Sequence, residues 1–242
     1  MSLKPITPAV LSKAWRAALS AVVLGSSIAS LSACAAEPAV FLPAPKVDAP
    51  ASSNHETVVF AGGCFWGVQA VFEHVKGVIR ATSGYAGGNA DTAQYERVSM
   101  GDTGHAESVK VEFNPHVVSY GELLRIYFSV AHNPTELNYQ GPDSGTQYRS
   151  QIFFTTPQQQ QVAKAYIQQL GQAKVFSDPI VTQLGALKGF YPAEDYHQDY
   201  ALIHPDNPYI YMNDLPKVSN LQHLYPADYS SKPVTVMAHA DQ

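Results

Sequence analysis

The chain has 242 residues, of which 45% are hydrophobic, 11% aromatic and 14% charged. This composition excludes a disordered, collagen-like or coiled-coil protein, and the length is enough for one sizeable hydrophobic core. The formal net charge of −5 comes without a run of Lys and Arg, so no nucleic-acid partner is expected. Two cysteines, Cys34 and Cys64, are too few for a disulfide framework.

Residues 1–33 predict an export signal, because a basic start without acidic residues leads into an apolar run. Cys34 follows LSA at 31–33, a pattern that resembles the lipobox of bacterial lipoproteins. The resemblance implies cleavage before Cys34 and lipid on its sulfur. The alternative is an ordinary signal peptide, cleaved near Ala33 or Ala36, that leaves Cys34 as a free thiol. We expect an exported envelope protein, a periplasmic lipoprotein that touches the membrane only through its lipid anchor.

Composition divides the rest of the chain into three segments. Four prolines mark residues 34–54 as a tether that cannot bury a core. We expect a folded domain at 55–212, which we expect to be a monomer. Residues 213–242 are expected to be an irregular tail, because the end of the chain is rich in Pro and Tyr and has few periodic runs.

Hydrophobic patterning predicts the elements of the domain. Residues 57–61 form an apolar strand, and 64–75 a helix with apolar residues at spacings of three and four. Residues 78–85 form a second strand, and 107–113 a third, with Val109, Val111 and Phe113 alternating onto one face. The later predicted elements are a helix that begins with a capping box at Ser119 and ends near 131, a strand at 151–155, a helix from Thr156-Pro157 and a weaker strand at 180–184.

The first six elements run strand, helix, strand, strand, helix, strand. This is the order of the split βαβ, or ferredoxin-like, motif. It predicts an α+β fold, a two-layer sandwich of helices on a mostly antiparallel sheet, with added C-terminal elements.

Cys64 lies at the predicted turn between the first strand and the first helix. Backbone N–H groups and the positive end of the helix dipole favour a thiolate at this place. The preceding glycines allow close approach, and Phe65 and Trp66 bring aromatic rings beside the sulfur. A buried structural cysteine is the alternative, and it is the commoner role of a lone cysteine.

Glu107 shares the strand face of Val109 and Val111. A carboxyl at the edge of a buried face is desolvated, which raises its pKa and lets it hold a proton near neutral pH. On the strand pattern alone, a solvated carboxylate at the strand end is slightly favoured over this acid.

The segment GCFWG at 63–67 resembles the signature of the peptide methionine sulfoxide reductase A family. The resemblance covers about residues 56–212 and implies an enzyme that reduces the S epimer of methionine sulfoxide, free or in proteins. The other matching segments are GYAGG at 84–88, YERV at 95–98, GDTGHAE at 101–107, QGPD at 140–143, GTQYRS at 145–150 and AEDYHQ at 193–198.

The resemblance also implies a role for each matched residue. Cys64 attacks the sulfoxide sulfur and becomes a sulfenic acid, and Glu107 protonates the sulfoxide oxygen. That oxygen accepts hydrogen bonds from Tyr95 and Tyr148, which by residue type alone would be packing residues. The resemblance assigns Asp143 as a positioning group that acts through water, although by residue type alone it would be a turn residue. It assigns Phe65 and Trp66 to the pocket for the substrate's methyl group.

Many members of the family carry resolving cysteines, whereas residues 65–242 contain none and Ser99 follows YERV. We therefore expect a single-cysteine cycle in which an external thiol, a thioredoxin-like protein or a small thiol, reduces Cys64. If Cys34 is not lipidated, the tether could instead let it resolve Cys64. No bound cofactor and no metal site are expected, because the nine histidines are scattered.

Two other functions are open on the residues alone. A cysteine hydrolase or acyltransferase would activate Cys64 with His105 or His197 and would turn over thioesters or amides. A non-catalytic envelope lipoprotein that binds oxidised methionine or a partner would keep its function in Cys64→Ser. The aromatic pair beside the cysteine and the acid on the apolar face favour sulfoxide chemistry.

Overall fold

The structure is a computed structural model that describes residues 39–51 and 53–237. The predicted export signal, Cys34 and the first residues of the tether lie outside the described residues. The α-helices are α1 (Phe65–Glu73), α2 (Tyr95–Val98), α3 (Tyr120–Ile126), α4 (Pro157–Ala173), α5 (Tyr200–Ile203) and α6 (Leu215–Leu224). The strands are β1 (Glu56–Ala61), β2 (Val78–Ala86), β3 (Ala106–Phe113), β4 (Tyr139–Gln140), β5 (Asp143–Ser144), β6 (Gln151–Phe154), β7 (Gln183–Ala186) and β8 (Phe190–Pro192).

A six-stranded sheet organises the fold, in the order β7-β6-β1-β3-β2-β8. Neighbouring strands are antiparallel except β6 and β7, which run parallel. The α+β class and the mostly antiparallel sheet are thereby confirmed. The register of β2 and β3 pairs Tyr85 with Glu107, which places Glu107 inside the sheet rather than at a free strand end.

The largest core cluster lies between the sheet and the helices. Phe60 on β1 stacks on Phe72 of α1 and on Tyr127, with ring centroids 5.0 and 4.7 Å apart. The predicted helix starts are confirmed, since the Ser119 and Thr156 hydroxyls accept hydrogen bonds from the Glu122 and Gln159 N–H groups. None of the described helices is long and apolar enough to span a membrane.

Residues 39–51 differ from the predicted tether, because they pack on the domain. Leu42 is fully buried, its N–H donates to the Tyr225 hydroxyl at 3.1 Å, and its carbonyl accepts from Arg125 Nε at 2.7 Å. Asp48 accepts from the Gly121 N–H at 2.8 Å, at the start of α3. The few apolar and acidic side chains among the prolines therefore find partners on the domain that composition does not reveal.

The end of the chain also differs from the predicted irregular tail, because α6 lies within it. Pro216 falls in the first turn, where a missing N–H costs the helix nothing. Leu221 and Tyr225 are buried against the rest of the core. Proline content, which suggested an irregular segment, here marks the start of a helix.

Candidate active site

Cys64 is the N-cap residue of α1 and is 8% exposed. The chain reaches it from β1 through Gly62 and Gly63. Gly63 has a φ of +86°, and a Cβ there would lie 2.6 Å from the Cβ of Gln140. Only glycine fits this combination of a left-handed backbone and close contact, so the turn before Cys64 is fixed by both.

Glu107 meets the start of the same helix. The Phe65 N–H donates to Glu107 Oε2 at 3.0 Å, and the side chain is buried. Burial raises the pKa of Glu107 to about 8, against the lowering effect of the Phe65 hydrogen bond and with further raising by Asp143 and Asp214. The carboxyl therefore holds a proton at neutral pH, as the desolvation argument predicts.

The surroundings of Cys64 oppose the thiolate that the start of the helix favours. Burial raises the pKa of the thiol well above its usual range, and the carboxyl groups of Glu107 and Asp214 raise it further. The hydrogen bond from the Trp66 N–H lowers the pKa of Cys64 but does not offset these effects. Desolvation therefore acts against the start of the helix and favours a proton on the sulfur, beside the proton held by Glu107.

Three phenols surround the sulfur and the carboxyl. Burial raises the pKa of Tyr95 and Tyr148, and the nearby Glu107 and Cys64 raise both further. Tyr95 is the first residue of α2, and its N–H donates to Glu194 Oε1 at 3.0 Å. Tyr209, the third phenol, also has its pKa raised by burial and by Cys64. All three therefore stay protonated and are able to donate hydrogen bonds.

Tyr209 is a site residue that the sequence did not reveal. Its hydroxyl donates to Asp143 Oδ2, which gives Asp143 a direct partner in addition to the water-mediated role predicted for it. Tyr209 is the N-cap residue of the π-helical segment Ile210–Asp214, near the end of the predicted folded domain. A proline- and tyrosine-rich stretch contains no periodic signal that singles out one tyrosine.

The two aromatic residues after Cys64 have different environments. Phe65 is buried, with its ring 5.9 Å from that of Tyr85. Trp66 is half-buried; it stacks on Tyr200 at 4.0 Å, and its indole N–H donates to His197 Nδ1 at 3.2 Å. Trp66 is therefore partly accessible, whereas Phe65 belongs to the core.

Neither candidate histidine is hydrogen-bonded to Cys64. His105 is held by the backbone, accepting from the Gly88 N–H at 3.2 Å and contacting the Asn89 carbonyl at 2.9 Å. His197 Nδ1 accepts from Trp66. The Cys–His pair that a hydrolase needs is thus missing from the described part of the chain. Residues 39–51 and 53–237 also contain no cluster of three His, Cys, Asp or Glu side chains suited to a metal ion.

Known proteins match this arrangement. A family model described as peptide methionine sulfoxide reductase matches residues 56–228. Peptide methionine sulfoxide reductase MsrA 2 of Mesorhizobium japonicum is 59% identical over 192 residues, 79% of this chain and 98% of the relative. The MsrA 2 of Synechocystis sp. is 52% identical over 188 residues, 76% of this chain and 88% of the relative.

Solved structures agree. Mxr1 from Saccharomyces cerevisiae in reduced form superposes with a TM-score of 0.59 at 32% identity, covering 67% of this chain and 92% of that one. Methionine sulfoxide reductase A of Corynebacterium diphtheriae has a TM-score of 0.54 at 31% identity, covering 70% and 87%. The match of the family model reaches past residue 212, in accord with the position of α6.

Proposed function

We propose a mechanism for this chain, which belongs to the peptide methionine sulfoxide reductase A family and is an oxidoreductase that reduces methionine sulfoxide in proteins. One observation carries the mechanism: the buried carboxyl of Glu107 is hydrogen-bonded to the residue next to Cys64. An acid that keeps its proton at neutral pH thereby lies beside the nucleophile.

In the first half-reaction the Cys64 sulfur attacks the sulfoxide sulfur while Glu107 gives its proton to the sulfoxide oxygen. The thiol proton of Cys64 restores the protonated carboxyl. A sulfur–oxygen bond then forms on Cys64, while the sulfur–oxygen bond of the substrate and the transient sulfur–sulfur bond break. The thioether leaves, and Cys64 becomes a sulfenic acid. The substrate sulfur gains the two electrons that Cys64 loses, so the step needs no cofactor.

The side chains around the pair orient the sulfoxide. Tyr95 and Tyr148 donate hydrogen bonds to its oxygen, which stabilises the negative charge that develops there. Asp143, held by Tyr209, keeps the polar side of the site in place. Trp66, supported by Phe65, receives the methyl group. Because oxygen and methyl have separate sites, one epimer fits, and we assign the S form, free or in proteins.

In the second half-reaction an external thiol reduces the sulfenic acid. Two thiol groups become a disulfide, and the oxygen leaves as water. The chain has no cysteine after Cys64, and Cys64 is the free cysteine among the described residues. A small thiol or a thioredoxin-like protein serves as the reductant.

The N-terminal sequence supports a location in the bacterial envelope. A basic start, an apolar run and small residues before Cys34 are typical of an exported lipoprotein. Residues 1–33 would be the signal peptide, and lipid on Cys34 would anchor a monomeric periplasmic repair enzyme. The central strands β6-β1-β3-β2 with α1 and α3 would form its ferredoxin-like unit.

A single-turnover experiment tests the chemistry. The reduced protein is mixed with a peptide that contains methionine S-sulfoxide, without a reductant, and trapped with dimedone, which reacts with sulfenic acids. We expect one dimedone adduct, on Cys64, for each thioether released. Reduction of the peptide with no adduct, or with the adduct elsewhere, would contradict the mechanism.

A further inference from the structure

A buried ion pair that the mechanism does not use lies against the nucleophile helix. Lys217 Nζ is 3.2 Å from Asp214 Oδ1; Asp214 is fully buried and Lys217 is 8% exposed. The second carboxylate oxygen, Asp214 Oδ2, is buried without a hydrogen-bond partner in the described part of the chain. A buried ion pair is weak evidence for stability, because desolvation opposes its attraction. Its position next to a reactive thiol therefore suggests a functional role.

Gly67, in the first turn of α1, marks the contact between the pair and the helix. A Cβ at this position would lie 2.1 Å from Asp214 Oδ1 and 2.9 Å from Lys217 Nζ. Only glycine leaves room for both groups. Helix α1 has no acidic residue in its own first turn. Asp214 brings a carboxylate close to this turn, where the helix dipole favours negative charge.

Several titratable groups affect the pKa of Cys64. Burial raises the pKa of Cys64, and Glu107, Asp214 and Asp143 raise it in that order. Burial also raises the pKa of Asp143 and Asp214, while Lys217 lowers both. The remaining titratable groups that face Cys64 are the phenols Tyr95, Tyr148 and Tyr209.

The ammonium group also acts on a side chain that packs against the strand-to-helix turn. Burial lowers the pKa of His132 to about 3, and Lys217 lowers it further. The His132 ring packs under Gly62, whose added Cβ would lie 3.0 Å from the His132 Cβ. Lys217 thus contributes positive charge near His132, which packs against the turn that carries Cys64.

We propose that Lys217 is a positioning residue of the reductase, the counter-cation that holds Asp214 at the first turn of α1 and offsets its charge while Cys64 becomes a thiolate. The inference rests on the proposed role of Cys64 as nucleophile. Without the ammonium, the Asp214 carboxylate faces the sulfur uncompensated, and the anionic form of Cys64 becomes less accessible.

The test is the pH dependence of Cys64 alkylation by iodoacetamide in full-length protein. Lys217→Met should move the midpoint up by about one pH unit, which makes alkylation at pH 8 about tenfold slower. Lys217→Arg should keep the wild-type midpoint. The double variant Asp214→Asn, Lys217→Met, which is neutral and of similar shape, should return the midpoint to the wild-type value or below.

Equal midpoints in wild type and Lys217→Met would overturn the proposal. So would equal shifts in Lys217→Met and the double variant, since these would reflect lost packing rather than charge. If Lys217→Met does not fold, Asp214→Asn must have a lower midpoint than the double variant, because only the former keeps the ammonium; the reverse order overturns the proposal. Alkylation needs no sulfoxide, so a failure of the proposed function is detected separately by turnover.

Discussion

At the scale of single residues, the site depends on where two protons reside. Burial raises the pKa of both Cys64 and Glu107, so the resting pair is neutral and the charge develops only during the reaction. The start of the helix, which the sequence places at Cys64, is one contribution among several. The sequence identifies the two residues, but their protonation depends on burial and on carboxyl groups contributed by distant segments.

The pH dependence of turnover follows from this state. Glu107 must be protonated to serve as the acid, so kcat/KM should fall as the pH rises through about 8. In Glu107→Gln this decline should disappear, and the remaining activity should be about 10²- to 10⁴-fold lower. Steady-state rates from about pH 6 to about pH 10 check this. A wild-type decline that persists unchanged in the variant would assign it to another group.

The buried carboxyl of Glu107 should also lower the free energy of unfolding at high pH. The pKa of Glu107 is about 8 in the folded protein, above the ordinary value of 4.5. Between these pH values the folded protein binds a proton that the unfolded chain has released. The free energy of unfolding therefore falls as the pH rises from about 4.5 to about 8. Glu107→Gln should therefore match wild type near pH 4 and exceed it above pH 8 by roughly 3–5 kcal/mol. Urea unfolding at both pH values measures this.

The matched control is Glu112→Gln on the same strand, where Glu112 is half-buried beside Lys110 at 3.5 Å. Its unfolding free energy should change by less than about 1 kcal/mol at either pH. A similar gain in both variants at high pH would indicate a general effect of net charge rather than the burial of Glu107.

At the scale of elements, local patterns predicted the central strands and helices well. β1, β2 and β3 lie within about two residues of their predicted bounds, since alternation and glycine turns are local signals. The packing of residues 39–51 and the helix α6 were not predicted, because both depend on contacts with distant parts of the chain. Tyr209 was missed for the same reason, since its partner Asp143 is 66 residues away.

The docked N-terminal segment yields a stability prediction. Leu42 is fully buried, so Leu42→Ala should lower the free energy of unfolding by about 2–5 kcal/mol through lost burial and an unfilled cavity. Val47 is 51% exposed in the same segment, and Val47→Ala should change the free energy of unfolding by less than about 0.5 kcal/mol. Equal and small effects in denaturant titrations would show that this segment behaves as the free tether the sequence suggested.

At the scale of the whole molecule, the fold brings the Cys64 sulfur together with groups from four other regions of the chain. α1 supplies Cys64, β3 supplies Glu107, and Tyr95 lies at the start of α2. Tyr148 comes from the 3₁₀ turn before β6, and Tyr209 from the C-terminal region. Family motifs identified the first four of these residues. Tyr209 was identified only from its position in the structure.

The cycle as a whole is expected to use Cys64 alone. Mass spectrometry of the mature, peroxide-treated protein should show no disulfide between Cys34 and Cys64, because the proposed lipid would occupy the Cys34 sulfur. A Cys34–Cys64 disulfide in that sample would contradict the single-cysteine cycle and the proposed lipid anchor together.

The most direct measurement is the turnover of both epimers of a blocked methionine sulfoxide with dithiothreitol, in wild type, Cys64→Ser and Glu107→Gln. We predict that wild type consumes only the S epimer, that Cys64→Ser is inactive, and that Glu107→Gln is strongly slowed. Equal consumption of both epimers, or full activity in Cys64→Ser, would contradict an account in which this thiol and its neighbouring acid reduce the sulfoxide.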